Sequence, residues 1–420
     1  MENLIIQKLE QIFRYGYICD NCLGRQFSQL LSKMENKERG KILRKFFAMS
    51  IDANSDKNFD MRNFIGFEFH NEKLNKEMKK IKDVGKCKIC DGFFEEENIK
   101  KWKEMVIRKV KESGYEFNSF VVGTKLSSKL LKNEEDLWEN IGVDFCEPIK
   151  TEINRTIGKE IEKRFKIKAN LRFPDILILL DIENENVNIK PNPLFIKGKY
   201  QKLVRGIAQT KSKRYKNSVE EIIAKPLMKM VLGKKHKFHG AGREDVDARC
   251  LGWRPFVIEI IEPKKRKIDL KKLMDIINKT KEVRVKDLKF SNIEEVREIK
   301  EARYDKEYKV IVKCEREIKK DDLKKLKALE TVITQRTPTR VLKRRVDKIR
   351  RRKVFKIKTR IINKKSFMLI VRCEAGLYVK ELVTGDGGRT KPSVSEILNC
   401  ECKPKDLDVT KIFIKKVKYL

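Results

Sequence analysis

Histidine is almost missing from this chain. Only His70, His236 and His239 occur in 420 residues, so chemistry built on histidine pairs or on several histidine metal ligands starts with few candidates. Long apolar runs are missing too. No stretch approaches the ~18–20 residues that cross a bilayer as a helix, which argues against a membrane protein. The opening Met1-Glu2-Asn3-Leu4 lacks a basic segment followed by an apolar one. A secretory leader is therefore not expected, and a cytoplasmic location is. Two phosphate-binding signatures are also lacking. There is no Walker A loop and no GxGxxG after a strand, and the glycines at 385–388 do not have that spacing.

Positive charge is in excess. Lys and Arg number 100 against 62 Asp and Glu, giving +38, and charged residues make up 39% of the chain, where about 25% is usual. Such a balance favours a polyanionic partner, nucleic acid first and an anionic membrane surface second. The 40% hydrophobic content is ample for real cores, and the length suggests about two or three domains.

The ten cysteines are unevenly spaced. Cys146, Cys250, Cys314, Cys373, Cys400 and Cys402 are scattered and read as small buried hydrophobes. The other four form two CxxC pairs, Cys19-Asp20-Asn21-Cys22 and Cys87-Lys88-Ile89-Cys90. Each spacing lets two thiolates reach one tetrahedral ion, so together they read as a closed, structural Zn2+ site joining two distant segments. The alternatives are unligated pairs or a redox pair. Gly24 and Gly92, each two residues after a pair, suit the sharp turn of a metal knuckle.

Periodicity predicts an α+β protein. Helical spacing marks residues 3–15, ending near Gly16, then 94–113, 150–166 and 218–232; a helix plus loop is expected over 34–59. Ser218 with Glu221 forms a capping-box pattern. Strand patterns fall at 115–123, 176–182, 256–261, 308–315, 355–362 and 366–375, with helices near 269–279, 320–329 and 393–399. A boundary is expected at Arg205, giving an N-terminal α/β region 1–205 and a second domain 206–420. The run 334–358 is dense in cations, including Arg336, Arg340, Arg344 and Arg345, yet interleaved with apolar residues. It reads as a basic loop entering an ordered element along a nucleic-acid groove. Lys199, Lys202 and Arg205, beside Gly198, are candidate phosphate donors on the same grounds, with a solvated basic face as the alternative.

Phe238 to Gly252 is the most informative stretch. Glycines at 240, 242 and 252 bound Arg243, Asp245, Asp247 and Arg249. On composition alone this is either an organised polar site or a surface ion-pair loop.

Several motifs resemble known families. Pro174-Asp175-Ile176, a strand pair, and Ile196-Lys197-Gly198-Lys199-Tyr200 through Ile207 resemble the end of a THUMP domain, found in tRNA-modifying enzymes. Gly242-Arg243-Glu244-Asp245 resembles the Gly-Arg-Thr-Asp signature of pseudouridine synthases. The longer string to Gly252 resembles the archaeal and eukaryotic tRNA pseudouridine synthases that act at positions 54 and 55. Lys306 to Val312, Gln335 to Arg345, and Gly376-Leu377-Tyr378-Val379-Lys380 through Thr390 follow that family's later motifs in order.

The resemblance implies Asp245 as catalytic carboxylate, with Tyr308, Tyr378, Lys380 and Arg243 against the substrate, and tRNA as partner. It also implies a mixed, largely antiparallel catalytic sheet after a zinc-containing THUMP-like domain. Lys380 stands where many synthases have arginine, which keeps the charge and loses the planar fork. No organic cofactor is expected, because the reaction is an isomerisation; no obligate protein partner is evident. The competing readings are a THUMP-bearing enzyme of another chemistry and a non-catalytic RNA-binding or assembly protein.

Overall fold

The computed structural model describes residues 2–31, 33–54 and 59–414. They divide into two units, Met1–Asn192 and Pro193–Leu420, each with its own core.

The first unit opens with α1 (Glu2–Tyr15), α2 (Asp20–Arg25), α3 (Asn36–Asn54), α4 (Glu72–Lys79) and α5 (Glu96–Ser113). An α/β layer follows: β1 (Ser119–Lys125), α6 (Ser128–Ile141), α7 (Ile149–Phe165), β2 (Lys168–Ala169), β3 (Ile176–Asp181) and β4 (Asn186–Pro191). Local chemistry sets the ends. Ser127 caps α6 by accepting from Leu130 N, and Gly114 stops α5 in the left-handed region at φ 65°. Ile149, Ile153, Ile157 and Ile161 recur every fourth residue and are wholly buried, so α7 lays one apolar stripe into the core. It packs chiefly on β1, with α5 and α2 alongside. The sheet order is β2-β1-β3-β4, parallel except for the β3–β4 hairpin.

The second unit carries β5 (Leu194–Lys202), α8 (Val219–Val231), β6 (Lys235–Gly240), β7 (Ala248–Ile261), α9 (Leu270–Asn278), β8 (Val283–Ser291), α10 (Ile293–Glu301) and β9 (Asp305–Cys314). It continues with α11 (Lys320–Lys325), β10 (Val332–Arg336), β11 (Ile349–Asn363), β12 (Ser366–Cys373), α12 (Val379–Thr384), β13 (Thr390–Lys391), α13 (Val394–Leu398) and β14 (Cys402–Phe413). Its ten-stranded sheet runs β13-β10-β11-β12-β9-β14-β7-β5-β8. The long β7 holds β14 along its first residues and β6 along its last ones, on one edge, with β5 on the other. Pairing is antiparallel except between β14 and β7, as expected for a mixed, largely antiparallel sheet.

Two readings change. The boundary falls at 192/193 and not at 205, because β5 pairs with β7 and β8 and so belongs to the second sheet. Its alternate residues Leu194, Ile196, Gly198, Tyr200 and Lys202 face a core that the first unit does not supply. The basic run 334–358 splits into β10, a 3-10 turn at Thr339–Arg344 and β11, which starts six residues before the expected strand.

Candidate active site and thiol clasp

Asp245 lies in the loop 241–247 that joins β6 to β7. The loop stands on a buried polar base. Glu244, directly before Asp245, is fully buried and ion-paired to Arg254 of β7 at 3.1 Å. Tyr200 of β5 donates its hydroxyl to Glu244 Oε2 at 3.0 Å. Gln209 Nε2 donates to the Tyr200 hydroxyl at 2.7 Å and to Gly242 O at 2.9 Å. Arg254 also donates to Ala241 O at 2.9 Å. Burial opposes charge on Arg254, but Cys250, Glu244 and Tyr200 around it outweigh that and hold its pKa above the ordinary value. Gly242, at φ 79°, gives the left-handed turn that lets Glu244 point down and Asp245 point out.

Lys202 completes the base. It is wholly buried and its ammonium donates to the carbonyls of Ile207, Asp245 and Val246 at 3.1, 2.9 and 3.2 Å. It therefore holds the loop and reaches no phosphate. Arg205 is also occupied, donating to Asp247 O and Leu407 O at 2.7 Å and to Asp408 Oδ1 at 2.6 Å. Lys199 pairs with Asp287 of β8 at 2.9 Å. Of the three cations read from sequence as a phosphate surface, Lys199 thus pairs with the edge strand β8, and Lys202 and Arg205 tie down the loop 241–247.

Above the base, Asp245 Oδ2 lies 3.2 Å from Lys380 Nζ and 3.4 Å from the Arg340 guanidinium, with its side chain 41% exposed. Lys380 sits in the first turn of α12 and also grips both oxygens of Asp247 at 2.9 and 2.7 Å. Burial raises the Asp247 pKa, but the Lys380 hydrogen bond and charge prevail and hold it below the usual range. Asp247 therefore pairs with Lys380 of α12 and not with the neighbouring Arg249 or Arg243. Arg249 is held by Asp408 at 2.9 and 2.7 Å, and Arg243 is exposed.

Arg340 was expected to face RNA along the basic run. It donates to the buried Glu381 at 2.7 Å and reaches Asp245 from there. Tyr308 occupies central strand β9, half-buried, opposite Val371 of β12 and Val409 of β14. Burial first, then Cys373, Cys250 and Asp245, raise its phenol pKa, so it stays protonated. Tyr378 caps α12, and its hydroxyl accepts from Arg345 at 2.9 Å.

The buried Gln335 docks this helix, accepting from Tyr378 N at 2.8 Å and donating to Tyr378 O at 2.9 Å. Arg336 pairs with Asp347 at 2.8 Å. The side chain of Arg344 lies outside the described residues. Lys306, two residues before Tyr308, is a site neighbour that sequence reasoning passed over. Burial and then the Arg254 charge lower its pKa to about 8. One signal for the buried base was present: an arginine just before the mostly apolar strand Phe256–Ile261 requires an internal counter-charge.

In the first unit, Cys19, Cys22, Cys87 and Cys90 converge with their sulfurs within 4.8 Å of one another, all buried but Cys19. The pairs are laced together by Cys19 N donating to Cys87 Sγ at 3.3 Å and Lys88 N to Tyr17 O at 2.9 Å. The buried Arg25 donates to Cys22 Sγ at 3.2 Å, with Glu134 also 3.2 Å from its guanidinium. Such a donor set suits a thiophilic tetrahedral ion. Of the two glycines, Gly92 supplies the expected left-handed turn at φ 82°. Gly24 serves a close approach instead: a Cβ there would lie 1.9 Å from Asn36 O, where α2 meets α3.

The fold defines a class: a domain on a mixed, largely antiparallel sheet with an open aspartate loop, joined to a thiol-clasped α/β domain. The chain belongs to the Pus10 family. The family model "Pus10, C-terminal" matches residues 195–413, and "Pus10 THUMP domain, archaeal" matches 102–181. Relatives carrying the name tRNA pseudouridine synthase Pus10 align over nearly all of it. That of Methanocaldococcus jannaschii is 40% identical, covering 98% of this chain and 95% of the relative. That of Pyrococcus furiosus is 37% identical, covering 97% and 98%. That of Methanothrix thermoacetophila is 35% identical, covering 96% and 94%. The family-model boundaries agree with the structural division at 192/193.

Proposed function

We propose that this protein isomerises uridine to pseudouridine in the T-loop of tRNA, at position 54, position 55 or both, with Asp245 as catalytic carboxylate. The observation that carries this is an open aspartate between Lys380 and Arg340, standing on the buried Glu244–Arg254 base. The target base must leave its stack to reach a carboxylate at the loop surface. Asp245 acts at the ribose, as nucleophile at C1′ or as base at C2′, and the N1–C1′ bond breaks. The uracil turns, C5 bonds to C1′, and the C5 proton is lost as N1 gains one. No group is added or removed, so no organic cofactor is consumed. Lys380 and Arg340 favour the ionised form of Asp245 when substrate excludes water. Tyr308 offers a flat ring for the uracil and stays protonated there. Arg345, through Tyr378, and the exposed cations of 336–353 follow the backbone of the RNA.

The first unit serves as a tRNA-binding domain, consistent with the THUMP family match. Zn2+ is the ion assigned to its four thiols, in a structural role, since four thiolates close the coordination sphere. A cytoplasmic location accords with this reading; among the described residues no helix is long and apolar enough to cross a membrane.

The deciding experiment incubates the protein with an unmodified tRNA transcript and maps pseudouridine by carbodiimide-primer extension. Pseudouridine at 54 or 55 with wild type and none with Asp245→Asn supports the reading. RNA binding without modification would favour the non-catalytic alternative.

A further inference from the structure

Three of the six scattered cysteines converge in the second unit, far along the sequence from the CxxC pairs. Cys314 ends β9, Cys402 begins β14, and the two stand opposite each other in the antiparallel register. Their backbone amides turn elsewhere. Cys314 N donates to Lys365 O and Cys402 N to Ser395 Oγ, while Glu315 N donates to Glu401 O. Cys314 and Cys402 are therefore the pair without mutual hydrogen bonds, the kind that brings side chains closest. Their sulfurs lie 3.0 Å apart. Cys400, after the end of α13, brings its sulfur within 3.7 Å of Cys402. All three sulfurs lie within 4.8 Å of one another. In the CxxC site the Cys19–Cys90 separation is likewise 3.7 Å.

Burial and charge are those of a built site. Cys314 and Cys402 are buried and Cys400 is half-buried, so the cluster is closed on one side and open on the other. Arg316 lies two residues beyond Cys314. It is fixed by Asp322 at 2.9 Å and by Leu398 O at 2.8 Å, next to the turn that carries Cys400.

We propose that Cys314, Cys400 and Cys402 form a second metal site on the catalytic unit, which takes a thiophilic divalent ion, Zn2+, through three thiolates. The fourth position, on the Cys400 side, is left to water. Tetrahedral bonds of about 2.3 Å set sulfur–sulfur edges of about 3.8 Å. Cys400–Cys402 already has that spacing, and Cys314–Cys402 widens by less than an ångström. Each thiol gives its proton to solvent on binding. Three thiolates around a dication leave one negative charge, which Arg316 offsets. The ion would clamp the first residues of β14 and the end of α13 to β9. β14 also carries Asp408, the carboxylate that holds Arg205 and Arg249 beside the catalytic loop.

The test uses the purified full-length chain, loaded with Zn2+, freed of loose metal and analysed by plasma mass spectrometry. Two equivalents are expected in wild type, one in Cys400→Ser and one in Cys19→Ser, so each site is lost separately. Co2+ loading should give thiolate-to-metal charge-transfer absorption that falls in both variants and vanishes only in the double variant. In wild type, Zn2+ should protect Cys400 from alkylation, a readout that needs no folded variant. One equivalent in wild type, unchanged by Cys400→Ser, with Cys400 alkylated equally with and without Zn2+, overturns the proposal. So does finding Cys314 joined to Cys402 as a disulfide, with an intact mass lower by two hydrogens.

Discussion

Each unit buries an arginine completely, and each uses it to organise the residues that matter there. Arg25 lies beneath the CxxC thiols, bonded to Cys22 and flanked by Glu134 and Glu152. Arg254 lies beneath the loop 241–247, paired with Glu244. In both, burial opposes the charge, but the groups around it, Cys22, Glu134 and Glu152 in one and Cys250, Glu244 and Tyr200 in the other, overcome it, so both pKa values lie above the ordinary one. What stands on each base differs. Over Arg25 the thiols are nearly all buried and close on themselves, which suits a structural ion. Over Arg254 the next residue, Asp245, faces out at 41% exposure with two cations beside it. The same buried device thus supports a closed site in one unit and an open one in the other. Access to solvent, more than the kind of charge, separates the thiol clasp from the Asp245 loop.

That contrast predicts different failures. Asp245→Asn should reduce single-turnover modification by several orders of magnitude, as loss of a group acting in the transition state does. Its melting temperature should stay near wild type, because Lys380 keeps Asp247 and Arg340 keeps Glu381. A near wild-type rate removes Asp245 from catalysis. Cys19→Ser should do the reverse. It should release the ion of the first unit and expose that unit to proteolysis, while the rate at saturating tRNA changes far less. If the rate falls as steeply as in Asp245→Asn, the clasp is not merely structural.

Glu244→Gln tests the base itself. Leaving Arg254 buried without its counter-charge should cost about 3–5 kcal/mol of stability, seen as a lowered urea midpoint. Loss of activity should accompany it as the loop shifts. A fully stable variant would mean that Tyr200 and Cys250 suffice to hold Arg254.

Tyr308→Ala should cost about 1–3 kcal/mol in transition-state binding through lost stacking, and Tyr308→Phe should retain most of that. Equal kcat/KM for Ala and wild type would take the ring out of the site.

The smallest effect concerns Lys306. Its folded pKa of about 8 lies below the ordinary 10.5. Between those values the unfolded chain binds more protons than the folded one, so this residue makes stability rise with pH there; below about 8 its penalty is constant. Lys306→Met should raise stability at pH 7 by on the order of 1 kcal/mol, discounted for partial exposure. It should also flatten the rise between pH 8 and 10.5 relative to wild type. An unchanged pH profile of the difference would place Lys306 in solvent.

Much was legible because it is local. The helical spacing of α7, the apolar strand run of β3 and the cap at Ser218 follow from neighbouring residues, and the structure keeps them. The CxxC pairs were readable because two-residue spacing and metal geometry match without further context. Asp245 and Lys380 were found by likeness to a family motif, and the fold brings them to 3.2 Å. The division at Arg205 failed because a strand does not state its partners: β5 joins the second sheet through hydrogen bonds to β7 and β8.

The sequence alone therefore determined the α+β class, the excess of cation and the candidate donors, since each depends on composition or short spacing. Only the tertiary structure decided which cations are free. Lys202 and Arg205 look the same in the chain as the exposed lysines, yet one is wholly buried under the loop and the other ties it to β14. Arg340 left a basic run to stand beside Asp245, and Cys314 met Cys400 and Cys402 across a strand pair. Charge and thiol chemistry are written in residue types. Whether a charge meets water, a carbonyl or a carboxylate depends on neighbours tens or hundreds of residues away, and sheet register supplies those.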